Sequence, residues 1–301
     1  MTIENKRVLI LGGGGMLGHK LYQVISKKYS TFVTFRNYSE KIQNTNIFKN
    51  EEVINNVDAF QFDSIINAIE IVKPNVIVNC IGIIKQLDEA KNSKKSIYIN
   101  SLFPHLLAEE CEKNRTKLVH ISTDCVFSGK RGNYNETDFA DASDLYGRTK
   151  YLGEINYGDS LTIRTSIIGH ELFSSVSLVD WFLSNKGNEV NGFERAIYTG
   201  LPTIRLSKEI LRIIQNYPEL NGLYQICTNP ISKYDLLKII NTTYNLSIKI
   251  NKDVNYSSDK SLRCDKYQKE TNYFPKDWET LVEEMYNDFI ANKKIYGKIN
   301  V

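Results

Sequence analysis

The sequence predicts an α/β protein with a doubly wound parallel sheet and a smaller, mixed C-terminal lobe. Short apolar runs alternate with stretches in which apolar residues recur at helical spacing. Four glycines, Gly12 to Gly15, directly follow the first apolar run, and the alternation loosens after about Ser166. Strands and helices that alternate at this pitch form right-handed crossovers, which make the strands parallel and place helices on both faces of the sheet.

The first half of the chain contains five predicted strands and four predicted helices. Continuous apolar runs bounded by turn residues predict strands that are buried on both faces, as in a parallel sheet. In chain order the elements are strand Arg7–Leu11, helix Met16–Lys27, strand Thr31–Phe35, helix Ser64–Val72, strand Val76–Gly82, helix Ile97–Lys113, strand Leu118–Ser122, helix Tyr146–Asn156 and strand Leu161–Thr165.

The C-terminal third is less regular. Leu178–Ser184 is predicted as a helix and is followed by a polar, glycine-containing stretch, Asn185–Phe193. Ser207–Gln215 and Ser232–Thr243 are predicted as helices, each with its first serine placed as an N-cap. A strand, Tyr224–Cys227, is expected between them.

Composition and charge exclude several classes of protein. Of the 301 residues, 42% are hydrophobic and 24% charged, which is typical of a globular chain. The net charge is only +3 and no basic block occurs, so a nucleic-acid partner is not expected. The apolar run Val8–Leu11 is too short for a signal peptide or a membrane span. We therefore expect a cytoplasmic protein without membrane association.

The five cysteines are odd in number and widely scattered, and no two of them form a C-x-x-C pair. This pattern argues against a disulfide framework and against a metal site, and it favours buried thiols. They are Cys80, Cys111, Cys125, Cys227 and Cys264.

The glycine run predicts a turn that binds a dinucleotide. Gly12, Gly15 and Gly18 have G-x-x-G-x-x-G spacing between a predicted strand and a predicted helix, with Met16 and Leu17 in the same turn. Residues without a Cβ allow the tight turn, the approach of a pyrophosphate and the close helix–strand contact. The N–H groups at the start of the helix would meet the phosphates.

The end of the second predicted strand favours NADP(H) over NAD(H). Dinucleotide enzymes that use NAD usually place an Asp or Glu here for the ribose hydroxyls, but this chain has Thr34, Phe35, Arg36 and Asn37. A guanidinium at Arg36 can pair with a 2′-phosphate. The alternative is a solvated loop arginine, which would leave NAD(H) open as the cofactor.

Two polar groups of residues follow the glycine turn along the chain. Tyr146 and Lys150 are four residues apart on one predicted helix face, where the ammonium is expected to lower the pKa of the phenol. A tyrosine of this kind can exchange a proton with a carbonyl or alcohol oxygen. Ser122, Thr123 and Asp124 end a predicted strand, and ligands gather beyond the carboxyl ends of parallel strands.

Together these motifs resemble the extended short-chain dehydrogenase/reductases, and more narrowly the dTDP-4-dehydrorhamnose reductase branch. The resemblance covers about the first 230 residues, with the motifs in the expected order. The matching residues are Gly12-x-x-Gly15-x-x-Gly18, Asn79-Cys80-Ile81-Gly82, Asn100, Ser122-Thr123-Asp124-x-Val126-Phe127-x-Gly129, Tyr146-Gly147-x-x-Lys150-x-x-Gly153-Glu154, Arg164-Thr165-Ser166 and Gly200-Leu201-Pro202-Thr203.

The resemblance implies a Rossmann-type fold and roles for several of these residues. Thr123, Tyr146 and Lys150 would be the catalytic residues, with Tyr146 protonating the C4 oxygen of a keto sugar. Asp63 would contact the adenine amino group, although a helix N-cap is the alternative for this residue. Further implied cofactor contacts are Asn79, Cys80, Gly82 and Asn100.

The implied substrate is a nucleotide-activated 4-keto-6-deoxy sugar used in bacterial surface-polysaccharide synthesis. Cys125 stands where the family commonly has tyrosine, Ile83 to Gln86 is less polar than expected, and Trp181 does not map onto the pattern. A UDP-linked N-acetylated sugar therefore stays open beside the dTDP-linked one. On charge grounds Arg195 and Arg205 are candidate substrate contacts, together with Thr123 and Asp124.

The expected domain organisation follows from these assignments. Residues 1–166 would form the NADP-binding Rossmann domain, to which part of 203–228 returns. Residues 167–202 and 229–301 would form the smaller substrate-binding lobe. A homodimer, a nucleotide-sugar epimerase or dehydratase of the same superfamily, and a non-catalytic NADP-binding regulatory subunit stay open.

Overall fold

A computed structural model describes residues 4–85 and 88–296. By contacts the chain divides into two compact units. The first comprises Met1–Val126, Ser143–Arg164 and Ser207–Tyr224, and the second comprises Phe127–Ala142, Thr165–Leu206 and Gln225–Val301.

Strands and helices alternate through most of the chain. The strands are β1 Glu4–Leu11, β2 Tyr29–Thr34, β3 Val53–Ile54, β4 Val76–Asn79, β5 Lys117–Thr123, β6 Leu161–Thr165, β7 Ile167–Ile168, β8 Glu189–Tyr198, β9 Leu201–Pro202, β10 Gly222–Gln225, β11 Ile231–Ser232 and β12 Lys249–Asp259. The helices are α1 Gly18–Ile25, α2 Glu40–Gln43, α3 Phe62–Val72, α4 Ser93–Ile97, α5 Phe103–Lys113, α6 Leu145–Leu152, α7 Leu178–Ser184, α8 Thr203–Asn216, α9 Lys233–Thr243, α10 Asp265–Thr271 and α11 Trp278–Ala291.

Seven strands form the central sheet in the order β10-β6-β5-β4-β1-β2-β3. The pairs β1–β2, β2–β3, β1–β4 and β4–β5 are parallel. The predicted α/β fold with a doubly wound parallel sheet is thereby confirmed. The strand order reverses between β1 and β4, and ligands of such sheets bind beyond the carboxyl ends of the strands at this point.

The apolar runs form strands because both of their faces are covered. Val8, Leu9, Ile10 and Leu11 of β1 are completely buried. Leu9 and Leu11 pack in one core cluster with residues of α3 and α5, including Ile65, Phe103 and Leu107. The expected single helix Ile97–Lys113 is instead α4, a π-helical segment Tyr98–Leu102 and α5.

The second unit contains a mixed sheet in the order β11-β8-β12. The stretch expected to be polar and irregular, 185–193, includes the start of β8. Its inward-facing residues include Gly192, where a Cβ would lie 2.8 Å from side-chain atoms of Ile250 and Tyr234. Because a glycine occupies this buried position, the apolar alternation that predicts a strand is weak here.

Two other expectations need correction. Residues 127–142 belong to the second unit, because Tyr134 forms a bridge with Leu262 and its amide donates to the Ser261 carbonyl. Ser207 is not an N-cap: α8 begins at Thr203, so the Ser207 side chain is buried within the helix.

No helix in the described ranges is long and apolar enough to cross a membrane. The two longest of these, α8 and α11, have 14 residues each, whereas a spanning helix needs about 20.

Candidate active site

The glycines of the turn between β1 and α1 are required for different structural reasons. Gly12 has φ +88°, a conformation that favours glycine. A Cβ at Gly18 would lie 2.1 Å from the Gly12 carbonyl oxygen, and one at Gly13 would lie 2.1 Å from the Val33 side chain. The need for Gly13 could not be predicted from the glycine spacing, because it depends on the neighbouring strand β2.

Gly15 differs from these because the protein itself leaves room for a side chain. Its Cβ would meet only the Gly12 oxygen, at 3.5 Å, and Gly15 is exposed. The absence of a Cβ at Gly15 leaves a space beside the backbone. A pyrophosphate needs such a space to approach the backbone closely. Leu17 is buried at the start of α1, and Met16 beside it is half-buried.

The end of β2 is joined directly to the glycine turn. The amides of Gly12 and Gly13 donate to the hydroxyl and the carbonyl oxygen of Thr34, at 3.2 and 3.0 Å. Arg36, two residues later, is exposed and has no ion-pair partner in the described part of the chain. Its guanidinium is available for an anion at this edge of the sheet.

Asp63 is the second residue of α3 and is exposed. The N-cap position of α3 is occupied by Gln61, which makes no side-chain capping bond. The alternative role of Asp63 as an N-cap is therefore wrong, whereas an adenine contact stays a prediction.

The side-chain amides of two asparagines hold the loop after β4. Asn79 accepts from the Ile81 amide at 3.0 Å and contacts Nδ1 of His120 at 3.1 Å. Asn100, in the π-helical segment, accepts from the Ile83 amide at 2.9 Å and donates to the Ile83 carbonyl at 3.0 Å. Asn100 therefore positions the loop.

Gly82 lies in this loop and is exposed, so a ligand can reach its backbone. Burial raises the pKa of the Cys80 thiol to about 12, which keeps it neutral. Gln86, one of the departures from the family pattern, lies outside the described residues.

The three expected catalytic side chains converge where β5 meets α6. The Thr123 side chain lies close enough to the Tyr146 phenol to lower its pKa, against the larger opposing effect of burial. The Lys150 ammonium donates to the carbonyl oxygen of Ile121 at 2.8 Å. Asp144 begins α6 by accepting from the Gly147 amide at 3.0 Å, which sets the start of the helix that carries Tyr146 and Lys150.

The electrostatics of the site differ from the expectation for Tyr146. Burial raises the pKa of the phenol, and neighbouring Cys125 raises it further. The expected lowering of this pKa is therefore wrong, and the Lys150 ammonium donates to the Ile121 carbonyl oxygen instead. Burial lowers the pKa of Lys150 to about 8, against the opposing effect of Glu154. At neutral pH the phenol is protonated and the lysine is mostly charged.

The polar residues at the end of β5 have separate partners. Ser122 donates to Glu154 at 2.6 Å and is therefore not a free hydroxyl for a substrate. Asp124 accepts from the Thr123 hydroxyl at 3.1 Å and is buried. Glu154 also forms a buried ion pair with Arg164. Both residues belong to motifs of the family resemblance, but neither was predicted to contact the other, because they come from different elements.

The candidate substrate arginines lie in the second unit. Arg195 is exposed on β8. Arg205 pairs with Glu284 through two of its nitrogens, so its charge is met within its own unit. Trp181, on α7, is partly exposed.

Two curated relatives each match about half of the chain. The spore coat polysaccharide biosynthesis protein SpsK of Bacillus subtilis (strain 168) is 29% identical over 150 residues, which are 48% of this chain and 52% of SpsK. Methionine adenosyltransferase 2 subunit beta of Bos taurus is 28% identical over 156 residues, which are 51% of this chain and 43% of that protein. The chain thus spans about half the length, or less, of these relatives.

The fold is shared with a solved dTDP-4-dehydrorhamnose reductase of Bacillus anthracis str. Ames, determined in complex with NADP. The TM-score is 0.78 at 19% identity, and the likeness covers 95% of this chain and 100% of that chain. Residues 6–290 match the family described as the RmlD substrate binding domain. Since that match extends over nearly the whole sequence, the chain belongs to the RmlD substrate binding domain family.

Proposed function

We propose that this protein is an NADPH-dependent reductase of the 4-keto group of a nucleotide-activated 6-deoxy sugar. The observation that carries the proposal is the convergence of Thr123, Tyr146 and Lys150 where β5 meets α6. This end of the sheet also holds the glycine turn. A protonated phenol, a second hydroxyl and a cation are the groups that carbonyl reduction requires.

The cofactor would lie along the glycine turn of the first unit. Backbone N–H groups near Gly15 would meet the pyrophosphate, and Arg36 would meet a 2′-phosphate. Asp63 and the loop from Asn79 to Gly82 would border the adenosine half. NADP(H) is favoured because a free guanidinium follows β2, and NAD(H) is the alternative.

Each catalytic side chain would have a distinct role. The bound nicotinamide supplies a hydride to the carbonyl carbon. Tyr146 donates its phenolic proton to the carbonyl oxygen, for which the raised pKa keeps it in the protonated form. Thr123, whose hydroxyl donates to Asp124 in the protein alone, would redirect this hydrogen bond to the same oxygen and orient it. Lys150 holds the nicotinamide ribose with its ammonium.

The proposed substrate class is supported by the family to which the chain belongs and by the name of one relative. SpsK is named as a polysaccharide biosynthesis protein, which supports a role in surface-polysaccharide precursor synthesis. The sugar carrier is dTDP or UDP. We place the activity in the cytoplasm and assign Asp124, Arg195 and Arg205 as candidate substrate contacts.

The test is NADPH oxidation with a panel of dTDP- and UDP-linked 4-keto-6-deoxy sugars. Tyr146→Phe is expected to reduce kcat at least 100-fold, because the phenyl ring cannot donate the proton, while NADPH binding is retained. Tyr151→Phe, on the exposed side of the same helix, is the matched control. Full activity of Tyr146→Phe would remove the proposed mechanism.

Product analysis separates the alternatives. An epimerase or dehydratase would convert the sugar without net NADPH consumption, and the chain has Cys125 after Asp124, where dehydratases usually place an acid pair. An accessory subunit is favoured by one observation, the likeness to a protein named as a subunit of methionine adenosyltransferase 2. NADPH binding without turnover of any keto sugar in the panel would support that candidate.

A further inference from the structure

His19 is a completely buried residue beside the glycine turn, and the proposed mechanism does not use it. It lies in the first turn of α1, four residues after Gly15. Residues four apart share one face of a helix, and helical side chains lean back towards the N-terminus. The imidazole of His19 therefore reaches the glycine turn, where its Nδ1 atom lies 2.8 Å from the carbonyl oxygen of Gly15.

The chemistry of the two partners fixes the position of the imidazole proton. A carbonyl oxygen only accepts hydrogen bonds, so Nδ1 of His19 carries the hydrogen and donates it. The backbone amide of His19 donates to the same Gly15 oxygen at 3.3 Å. Because a carbonyl oxygen has two lone pairs, it can accept both bonds. The shorter bond comes from the side chain, and an apolar side chain could not supply it.

The Gly15 carbonyl oxygen matters because of the N–H group on the same peptide. The peptide that joins Gly15 to Met16 is trans. In a trans peptide the C=O and N–H bonds point in opposite directions. When His19 holds the oxygen towards α1, the N–H of Met16 is directed away from the body of the helix. An anion at a helix N-terminus binds on that side.

Two features make the turn depend on this hydrogen bond. Gly15 has no Cβ, so its own backbone torsions are only weakly restricted. The N-cap position of α1 is Leu17, which makes no side-chain capping bond, and the first turn contains no acidic residue. The N-cap side chain therefore does not compete with a bound anion for the N–H groups at the start of α1.

We infer that His19 is a positioning residue for the cofactor, whose Nδ1–H group fixes the Gly15–Met16 peptide and so directs the Met16 N–H at a pyrophosphate. The inference rests on the proposed function for the identity of the ligand. Its structural content, the restraint of this peptide by His19, does not depend on which reaction the protein catalyses. Since NADPH and NADH share the pyrophosphate, His19 should serve both cofactors equally, in contrast to Arg36.

The test uses two substitutions of His19 and a control in the same helix. His19→Leu removes the donor and leaves an apolar side chain that suits a buried position. His19→Asn places an amide N–H where Nδ1 lies in histidine, so it should restore the bond. Tyr22→Phe is the control, because the Tyr22 hydroxyl of α1 bonds Glu52 and the Lys49 amide instead of the glycine turn. Urea unfolding measures the stability of each variant.

His19→Leu is expected to raise the dissociation constants of NADPH and NADH by the same factor, about 5- to 10-fold, because a hydrogen bond that orders the turn is lost. With saturating NADPH, kcat should stay within about twofold of the wild type, since the turn is held alike before and during the reaction. His19→Asn should bind both cofactors like the wild type. Tyr22→Phe should be less stable but bind both cofactors unchanged, which separates positioning from a loss of stability.

Nuclear magnetic resonance of the Met16 amide tests the restraint without any cofactor. Relaxation dispersion should be absent at this amide in the wild type and in His19→Asn, and should appear in His19→Leu, because the peptide is no longer held. Equal cofactor binding by His19→Leu and the wild type, or an undisturbed Met16 amide in His19→Leu, overturns the inference. If the wild type binds neither cofactor, the proposed function fails, and the Met16 amide alone decides the role of His19.

Discussion

Arg36 decides the choice of cofactor in the proposed function. Its guanidinium follows β2, is exposed and is not neutralised by any described acidic side chain. Arg36→Ala is expected to raise KM for NADPH about 10- to 100-fold and to leave KM for NADH nearly unchanged, because a charge-assisted pair with phosphate contributes about 1.5–3 kcal/mol. Steady-state kinetics with both cofactors measure this.

A matched control for Arg36 is available in the same unit. Arg115 is also exposed, but it lies just before β5, at the opposite end of the sheet. Arg115→Ala should leave both KM values unchanged. If Arg36→Ala preserves the ratio of kcat/KM for the two cofactors, Arg36 is a solvated loop residue and NADP(H) preference needs another explanation.

The spacing of Tyr146 and Lys150 was enough to predict that they lie together, because residues four apart on a helix share a face whatever surrounds them. Thr123 was named through the family resemblance, and the catalytic role of all three stays a prediction. The ionisation of Tyr146 could not be found in this way. It depends on how deeply the phenol is buried and on the direction of the Lys150 ammonium, and both are set by β5. The same holds for Ser122, whose hydroxyl is used by Glu154.

At the scale of the element, glycines in the turn between β1 and α1 have two different roles, one in packing and one in the proposed binding of the cofactor. Gly18→Ala is expected to destabilise the fold by about 2–3 kcal/mol, because its Cβ would overlap the Gly12 carbonyl oxygen. Gly15→Ala should leave stability nearly unchanged but weaken NADPH binding at least tenfold, because its Cβ would occupy the space proposed for the pyrophosphate. Urea unfolding and NADPH fluorescence titration measure the two effects.

The two glycine variants serve as each other's control. If Gly15→Ala binds NADPH as tightly as the wild type, the pyrophosphate does not lie against this glycine. If Gly18→Ala is as stable as the wild type, the close contact between α1 and the turn is not required.

Elements of the first unit were predictable, whereas those of the second were predicted less completely. Strands buried on both faces are continuous apolar runs, so β1, β4 and β6 are clear in the sequence. By contrast, β12 is largely exposed and polar, and its pairing with β8 is what makes it a strand. A strand that depends on pairing with a distant segment need not show a local periodicity of apolar residues, so it is not predictable from its own sequence.

At the scale of the whole molecule, we propose that the homodimer left open by the sequence would use exposed apolar side chains on two neighbouring segments of the first unit. They belong to Ile97, Leu102, Tyr151 and Leu152, and together they are called the α4–α6 face. The Ser101 hydroxyl donates to the Thr149 carbonyl at 2.8 Å, which joins the two segments that carry it. Exposed apolar patches of this kind mark interaction sites.

If the protein is a dimer through the α4–α6 face, Leu152→Glu is expected to convert it into a monomer, because the substitution places a charge on that face. Size-exclusion chromatography with light scattering would then show the molar mass halved. Ile71→Glu is the control, since Ile71 is exposed in the same unit but lies on α3. A wild-type chain that is monomeric at micromolar concentration contradicts the prediction.

The fold class, the glycine turn and the shared face of Tyr146 and Lys150 could be predicted from the sequence, because each of these follows from periodicity or from residues close along the chain. The structure decided which groups are neutral, which are charged and which are already engaged. Glu154 is the clearest case: it is part of a quoted motif, yet its partners Ser122 and Arg164 come from two different strands. Burial and pairing of charges depend on which strands are neighbours, and strand order is a property of the folded sheet alone.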